Sequence, residues 1–315
     1  MKTNVPILLT FLLVGYGFFS SHAQYNEISA PFPSLIGQPI DPTIKVDNSE
    51  SYIPYPFVDE DDILWKKTVW EYIELPRQDE QDQENRNNPL YYPTINNGFL
   101  SDDRISLFRV LLDGIENREI TEIYRTYNFN ERLTIKEVRQ NLNLRKLSDF
   151  GITKLNAGET LTEDDYDIYE IQSGGILQYW IKGIWYFSER LGSLKYQIIG
   201  IAPVAPDVTT LDDPNNQGTN VSEDTLVPLF WVWYKDARKV LSQHKVYIGN
   251  YWASEDSYDD YLIERQFHSV IYAVENVFNN QTIREYLPED SEQRLLESEK
   301  IKESIRNFGR DIEGQ

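Results

Sequence analysis

The spacing of apolar residues along the chain predicts five helices, because residues three or four positions apart share one face of a helix. The predicted segments lie at 63–73, 101–115, 134–142, 257–278 and 289–315. The first follows the acidic run DEDD, whose charges suit the N-terminus of a helix. Two others begin with a hydroxyl residue and an acid three positions later, the spacing of a capping box. These pairs are Thr134 with Glu137 and Ser257 with Asp260.

The middle of the chain has a different pattern. Residues 166–202 are rich in β-branched and aromatic side chains and are interrupted by two glycines and by ERLGS, which predicts three or four antiparallel strands joined by tight turns. Further strands are predicted at LFWVWY, residues 229–234, and at KVYIGNY, residues 245–251. Helices, a β-meander and helices in this order indicate an α+β fold, organised as a single compact domain over residues 61–288.

The N-terminal sixty residues fit neither pattern. A basic residue, an apolar run and small residues before Gln24 predict a secretory signal peptide over residues 1–23, cleaved between Ala23 and Gln24. Residues 24–60 are rich in proline and show no apolar period, which predicts an extended arm. The sequence therefore predicts an exported chain that does not insert directly into a membrane.

The net charge and the cysteine content exclude or disfavour several classes of function. The formal net charge is −21 at pH 7, which disfavours nucleic acid and anionic lipid, because both attract basic surfaces. The same charge favours either a basic protein partner or simply solubility. The chain contains no cysteine, so disulfides, thiolate metal sites, a cysteine nucleophile and the lipidated cysteine of a bacterial lipoprotein are all excluded.

Candidate catalytic and metal-binding residues are few. His244 and His268 accompany no motif of a serine hydrolase or a zinc enzyme. Adjacent acidic residues lie at 61–62, 164–165 and 259–260. Glycoside hydrolysis uses a pair of carboxylates, but 51 acidic residues produce such neighbours without catalysis. Residues 213–224 approach the spacing of a calcium loop, although a loop rich in Asn, Asp and Gly accounts for them better. The sequence predicts no catalytic residue, no cofactor and no metal.

The aromatic run that begins at Phe230 is open to three interpretations. Alternation along a strand places Trp231 and Trp233 on one face and Phe230 and Val232 on the other. The run is a buried strand, an interface with another protein, or a platform for sugar rings, since Trp and Tyr dominate binding hot spots. The candidate interface residues are Trp231, Trp233 and Tyr234, together with the apolar stripe of the C-terminal helix, Ile301, Ile305, Phe308 and Ile312.

Five segments carry a resemblance to a known family. They are NPLYYP at 88–93, SDDRISLFRVLLDGI at 101–115, LKYQIIGIAPV at 194–204, PLFWVWYKDARKVL at 228–241, and the run from Ser257 to Leu287. In this order they resemble the GldN family, also called PorN, of the gliding motility and type IX secretion machinery of Bacteroidetes. The resemblance extends over roughly residues 63–287, and its specificity rests on the shared order of the segments.

The resemblance implies a function and partners. Members are periplasmic and non-enzymatic, and they assemble in many copies with an outer-membrane lipoprotein of the GldK/PorK type into a ring. The periplasmic part of the GldM/PorM motor protein is a further expected partner. The lipoprotein would supply the attachment to the outer membrane that this chain lacks. The residues alone leave another class open, a periplasmic carbohydrate-binding protein or an acidic glycoside hydrolase, which would need acidic pairs beside Trp231 and Trp233.

Overall fold

The computed structural model describes residues 60–75, 90, 105–211, 225–248, 252–276, 280–288 and 290–313. The predicted signal peptide with Ala23 and Gln24, the Pro-rich arm up to residue 59, and the calcium-like loop 213–224 lie outside these ranges.

Strands and helices alternate irregularly through the described residues. The strands are β1 (Ile63–Glu74), β2 (Ile123–Tyr124), β3 (Asn143–Leu147), β4 (Tyr166–Glu170), β5 (Gln178–Ser188), β6 (Ser193–Pro206), β7 (Leu226–Pro228), β8 (Trp231–Trp233), β9 (Lys245–Ile248), β10 (Trp252–Ser257) and β11 (Val270–Val274). The α-helices are α1 (Leu107–Glu116), α2 (Ile135–Leu142), α3 (Asp149–Asn156), α4 (Tyr234–Ser242), α5 (Tyr258–Ile263), α6 (Ile283–Tyr286) and α7 (Ser291–Glu313). These elements confirm the predicted α+β fold.

A seven-stranded antiparallel sheet organises these elements. Its strand order is β11-β1-β5-β6-β8-β2, and β7 pairs with the end of β6. The long hairpin of β5 and β6 forms its centre, with the turn at the predicted ERLGS segment. Two smaller sheets lie outside it, one of β9 and β10 and one of β3 and β4.

The two faces of the sheet are covered differently. Ile73 and Val69 lie on one face, since side chains alternate along a strand. Ile73 belongs to the main core with α1, α4 and α5, and Val69 packs with Ile305 of α7. We call this the helix-covered face. Trp70 lies on the opposite face, where Phe129 of the loop after β2 packs on the sheet. We call that side the loop-covered face.

The helix predicted at 63–73 is wrong, because this segment is the twelve-residue strand β1. It forms hydrogen-bonded ladders with β5 on one side and β11 on the other. Apolar residues therefore face both sides of the sheet, which obscures the alternation expected of a half-buried strand. The buried charge of Glu71 further interrupts the apolar pattern.

The long helix predicted at 257–278 is also wrong beyond its first turns. The capping box of Ser257 and Asp260 is present, but α5 ends at Ile263. Arg265 has a φ of 54°, a left-handed conformation that a helix does not accommodate. The chain then enters β11, whose β-branched residues occupy the edge of the main sheet.

Three predicted helices are present with adjusted bounds. The capping box of Thr134 and Glu137 begins α2 as expected. Ser106 caps α1, where the prediction used Ser101, a residue outside the described ranges. The C-terminal helix α7 extends over 291–313. In the aromatic run, strand β8 ends at Trp233 and Tyr234 begins α4.

Candidate functional site

An aromatic groove opens on the loop-covered face at one edge of the main sheet. Tyr72 of β1 and Trp180 of β5 are direct neighbours across the strand pair. Tyr272 of the edge strand β11 lies beside both, with ring centroids 6.3 Å from Tyr72 and 5.3 Å from Trp180. Aromatic pairs at such distances are attractive and fix one another's orientation. The three rings therefore form a continuous wall.

The groove has a volume of about 480 Å³, and the charge of its described lining differs in sign from that of the whole chain. Helix α6 and the first turns of α7 form its other wall, including Ile283 and Leu295. Its charged lining residues are Glu74, Arg284 and Arg294. Among the described residues, the lining thus has two positive charges and one negative charge, although the whole chain has a formal net charge of −21. Pockets of this size that are largely apolar, with a few polar groups, are typical binding sites.

Local contacts hold the aromatic wall in place. The indole Nε1 of Trp180 donates a hydrogen bond to the Gln178 side chain at 2.9 Å. Burial, and to a smaller extent Tyr127, raise the pKa of the Tyr272 hydroxyl above its usual value. Tyr272 is neutral at physiological pH, as an unperturbed tyrosine also is, and the wall presents rings rather than ions.

A buried lysine lies next to the groove. Lys182 of β5 extends its ammonium group over the rings of Trp70, Tyr127 and Phe129, at 5.4, 5.8 and 5.3 Å from their centroids. The ammonium also donates a hydrogen bond to the Tyr127 carbonyl at 3.1 Å. Burial lowers the pKa of Lys182 to about 8, against an opposing effect of Glu275. Cation–π contacts of this kind fasten the loop after β2 to the sheet.

The depressed pKa of Lys182 predicts a pH dependence of stability. Between about pH 8 and the pKa of an unfolded lysine, near 10.4, the unfolded chain holds a proton that the folded chain has released. The free energy of unfolding of the wild type should therefore rise relative to that of Lys182→Met, by roughly 2 kcal/mol between about pH 7.5 and 9.5. Urea unfolding of both proteins across this range measures the difference, and a constant difference would contradict the prediction.

A buried ionic cluster lies on the helix-covered face. Both oxygens of Glu71 accept hydrogen bonds from the Arg265 guanidinium, at 2.7 and 2.8 Å, and the hydroxyls of Ser269 and Tyr196 donate to the same carboxylate. Burial alone would raise the pKa of Glu71, but Arg265 and the two hydroxyls hold it below its usual value. Gly183 makes room for this cluster, because a Cβ there would lie 2.1 Å from the Tyr196 hydroxyl.

A second buried pair joins α4 to α5. The guanidinium of Arg238 donates to both oxygens of Asp259, with Nε–Oδ1 at 3.0 Å and Nη2–Oδ2 at 2.9 Å. The hydroxyl of Tyr234 donates to Oδ1 at 3.0 Å. Both members of the ion pair are buried. Asp259 is thus engaged in holding two helices together.

The other predicted acidic pairs also have local partners. Asp165 accepts from the Thr162 amide at 2.7 Å and lies 2.7 Å from the Lys154 ammonium. Asp62 forms an exposed ion pair with Arg190. Neither pair contributes to the lining of the aromatic groove. His268 is exposed, and the His244 ring contacts the Val240 carbonyl at 2.9 Å. Among the described residues, no group of three or more histidines and acids is arranged to hold a metal ion.

Two of the three predicted aromatic interface residues belong to the core. Trp231 is 1% exposed and Tyr234 is fully buried, so the interface assignment of both is corrected. Trp231 packs edge-on against Phe129 of the loop, and Tyr234 reaches the buried pair between the helices. Trp233 is half-buried, with its ring 4.8 Å from that of Phe129. The three residues do not form a common exposed surface.

The apolar stripe of the C-terminal helix is likewise turned inward. Ile305 is 2% exposed and packs with Val69 and Ile271, and the half-buried Ile301 packs against the same cluster. The ring of Phe308 stacks on that of Trp65 at 4.3 Å. Ile312, near the end of α7, is half-buried. The sheet therefore covers part of the face that the sequence offered as an interface. The burial of Ile305 corrects the assignment of this residue, and for Ile301, Phe308 and Ile312 it stays a prediction.

Sequence reasoning missed the aromatic groove. Its wall combines Tyr72, Trp180 and Tyr272, which belong to three strands far apart in the sequence. The prediction of helices at 63–73 and 257–278 separated two of them from the β-meander. Alternation at Trp70, Tyr72 and Glu74 was the available signal, because it marks the loop-covered face of β1.

In the described residues, buried ionic groups join helices to a sheet, and an aromatic groove opens at the sheet edge. Within these ranges, no helix combines the length and the apolar character needed to cross a membrane. The chain belongs to the GldN family, since residues 58–312 match the family described as "Gliding motility associated protein GldN". This match confirms the resemblance found in the sequence, and the chain is a gliding motility associated protein. No curated protein matches it.

Proposed function

We propose that the chain is a non-enzymatic structural subunit of the type IX secretion and gliding motility machinery. It acts in the periplasm, where it assembles in many copies with an outer-membrane lipoprotein of the GldK/PorK type into a ring. The observation that carries this proposal is membership of the GldN family over residues 58–312. The periplasmic part of a GldM/PorM motor protein is the further partner that we propose.

The use of the buried acids supports a structural role. Glu71 and Asp259 each accept hydrogen bonds from an arginine and from at least one hydroxyl. A general acid or base must instead reach a proton of its substrate. These carboxylates hold strands and helices in fixed positions, as expected of a subunit with a structural role.

Sequence features support the proposed location. The predicted signal peptide at 1–23 would export the chain. The chain contains no cysteine to carry a lipid, which is consistent with the proposed attachment through a lipidated partner. A chain with a net charge of −21 also favours partners that present basic surfaces, since complementary charge speeds association.

Co-expression with a lipoprotein of the GldK/PorK type tests the assembly. We expect the two proteins to co-purify as a large ring, measured by size-exclusion chromatography and electron microscopy. Each protein expressed alone is the control. A chain that elutes as a monomer with and without the lipoprotein would overturn the proposed function.

A further inference from the structure

A small lobe extends from the main sheet and is held rigidly. It comprises β3, α3 and β4, residues 143–170, and we call it the hairpin lobe. The Ser148 hydroxyl accepts from the Gly151 amide at 3.0 Å and donates to the Asp165 carbonyl at 2.9 Å. A Cβ on Gly151 would lie 2.3 Å from that carbonyl oxygen, so α3 lies in direct contact with the segment that leads into β4. The Lys154 ammonium adds an ion pair with Asp165.

The apolar side chains of α3 contribute little to this rigidity. Asp149, Ile152 and Leu155 are spaced three apart and therefore form one ridge along the helix. Ile152 is 42% exposed and Leu155 is 55% exposed, and Asp149 is exposed as well. Ile152 and Leu155 are neighbours on the helix, and contiguous exposed apolar side chains, unlike single ones, are a feature of interaction surfaces. We call these three residues the α3 ridge.

The charge of the hairpin lobe is opposite to that of the aromatic groove. The lobe contains seven acidic and three basic residues. The groove is lined by Arg284, Arg294 and Glu74, with rings and aliphatic side chains between them. The apolar side chains of the ridge can pack against the apolar lining of the groove, and the acidic charge of the lobe is opposite to that of the two arginines. Complementary charge fixes the register of a contact.

We propose that the α3 ridge of one copy docks in the aromatic groove of a second copy. Ile152 and Leu155 pack against the wall of Tyr72, Trp180 and Tyr272, and the carboxylate of Asp149 lies toward the arginines. Because ridge and groove are different surfaces, each added copy can bring a new groove for the next, as in a heterologous interface. The proposal names the contact between copies that the proposed assembly requires, and to that extent it rests on the proposed function.

The lack of cysteine makes this contact directly testable by cross-linking. Full-length Leu155→Cys is mixed with differently tagged Leu295→Cys and treated with a bismaleimide, without the lipoprotein. Leu295 lines the groove and is 49% exposed. Leu64, which is 59% exposed at the opposite end of β1, provides the matched control as Leu64→Cys. We expect heterodimers with the 295 variant at about ten times the yield obtained with the 64 variant, the effect of ~1.4 kcal/mol of binding.

A second substitution tests the ridge itself. Ile152→Lys replaces the apolar contact with the aromatic wall by a hydrated cation in a groove whose described lining already carries an excess of positive charge. It should lower the yield with Leu295→Cys about tenfold, as loss of a hot-spot residue does. Ile168→Lys changes another exposed isoleucine of the lobe and should leave the yield unchanged. Equal yields for the 295 and 64 variants would overturn the contact. If a ring with the lipoprotein still forms in that case, the proposed function survives and only this contact is refuted.

Discussion

Replacing Glu71 with glutamine is expected to lower the free energy of unfolding by about 3–5 kcal/mol, the usual cost of breaking a buried ion pair. The Glu71 carboxylate receives donors from Arg265, Ser269 and Tyr196. Glutamine offers one accepting oxygen and directs an amide group at donors. The half-buried arginine is then left among aromatic rings without a compensating charge, and its guanidinium carbon lies 4.0 Å from the centroid of the Tyr196 ring.

The pH dependence of this difference provides an independent check. The folded pKa of Glu71 lies below its usual value, so its contribution to stability is present above the unfolded pKa, near 4.3. It is lost as the pH falls through the lower, folded pKa. Urea unfolding should show the difference between wild type and Glu71→Gln at neutral pH and a smaller difference in acid. Glu131→Gln, which removes an exposed pair with Arg125, is the control and should change stability by less than about 1 kcal/mol.

Replacing Asp259 with asparagine is expected to have an effect of similar size, about 3–5 kcal/mol. The substitution preserves the shape of the side chain but leaves Arg238 buried opposite a neutral group. It also weakens the hydrogen bond that Tyr234 donates to the carboxylate, because bonds to charged groups are the stronger ones. Helices α4 and α5 lose their polar connection, and we expect the urea midpoint to fall with little change in the slope.

Asp113 is the matched control for Asp259. It forms an ion pair of 2.7 Å with Arg109 on the exposed side of α1. Asp113→Asn should cost no more than about 0.5 kcal/mol, because exposed pairs at this helical spacing contribute little. If the two substitutions prove equally mild, the buried pair does not stabilise the junction of α4 and α5 in the way that its geometry indicates.

The parts of the fold that depend on neighbouring residues were predictable from the sequence. Both capping boxes form as expected, since a hydroxyl and an acid three residues apart satisfy each other locally. The tight turn between β5 and β6 follows equally local rules. The assignment of β1 failed, because a strand covered on both faces loses its alternation and because Glu71 owes its buried position to Arg265, almost two hundred residues later.

The candidate sites were less predictable than the fold. The apolar stripe of α7 was visible in the sequence, but not the cover that Trp65 and Val69 of β1 provide. Sequence alternation placed Trp231 beside Trp233 on one face, yet it could not show that Phe129 packs over that face. Spacing along the chain reports which side chains share a face, whereas burial depends on what a distant segment places over it.

The position of β1 between β5 and β11 has a consequence for how the polypeptide is made. β1 is synthesised before the other strands of the main sheet. Its two hydrogen-bonding neighbours, β5 and β11, come from the middle of the chain and from near its end. Until β11 emerges, an apolar strand is left with an open edge, which is the feature that promotes association between incomplete chains. Contacts so distant in sequence slow folding. Completion of the sheet therefore awaits the C-terminal residues, and a chain truncated before residue 270 should expose β1 to aggregation.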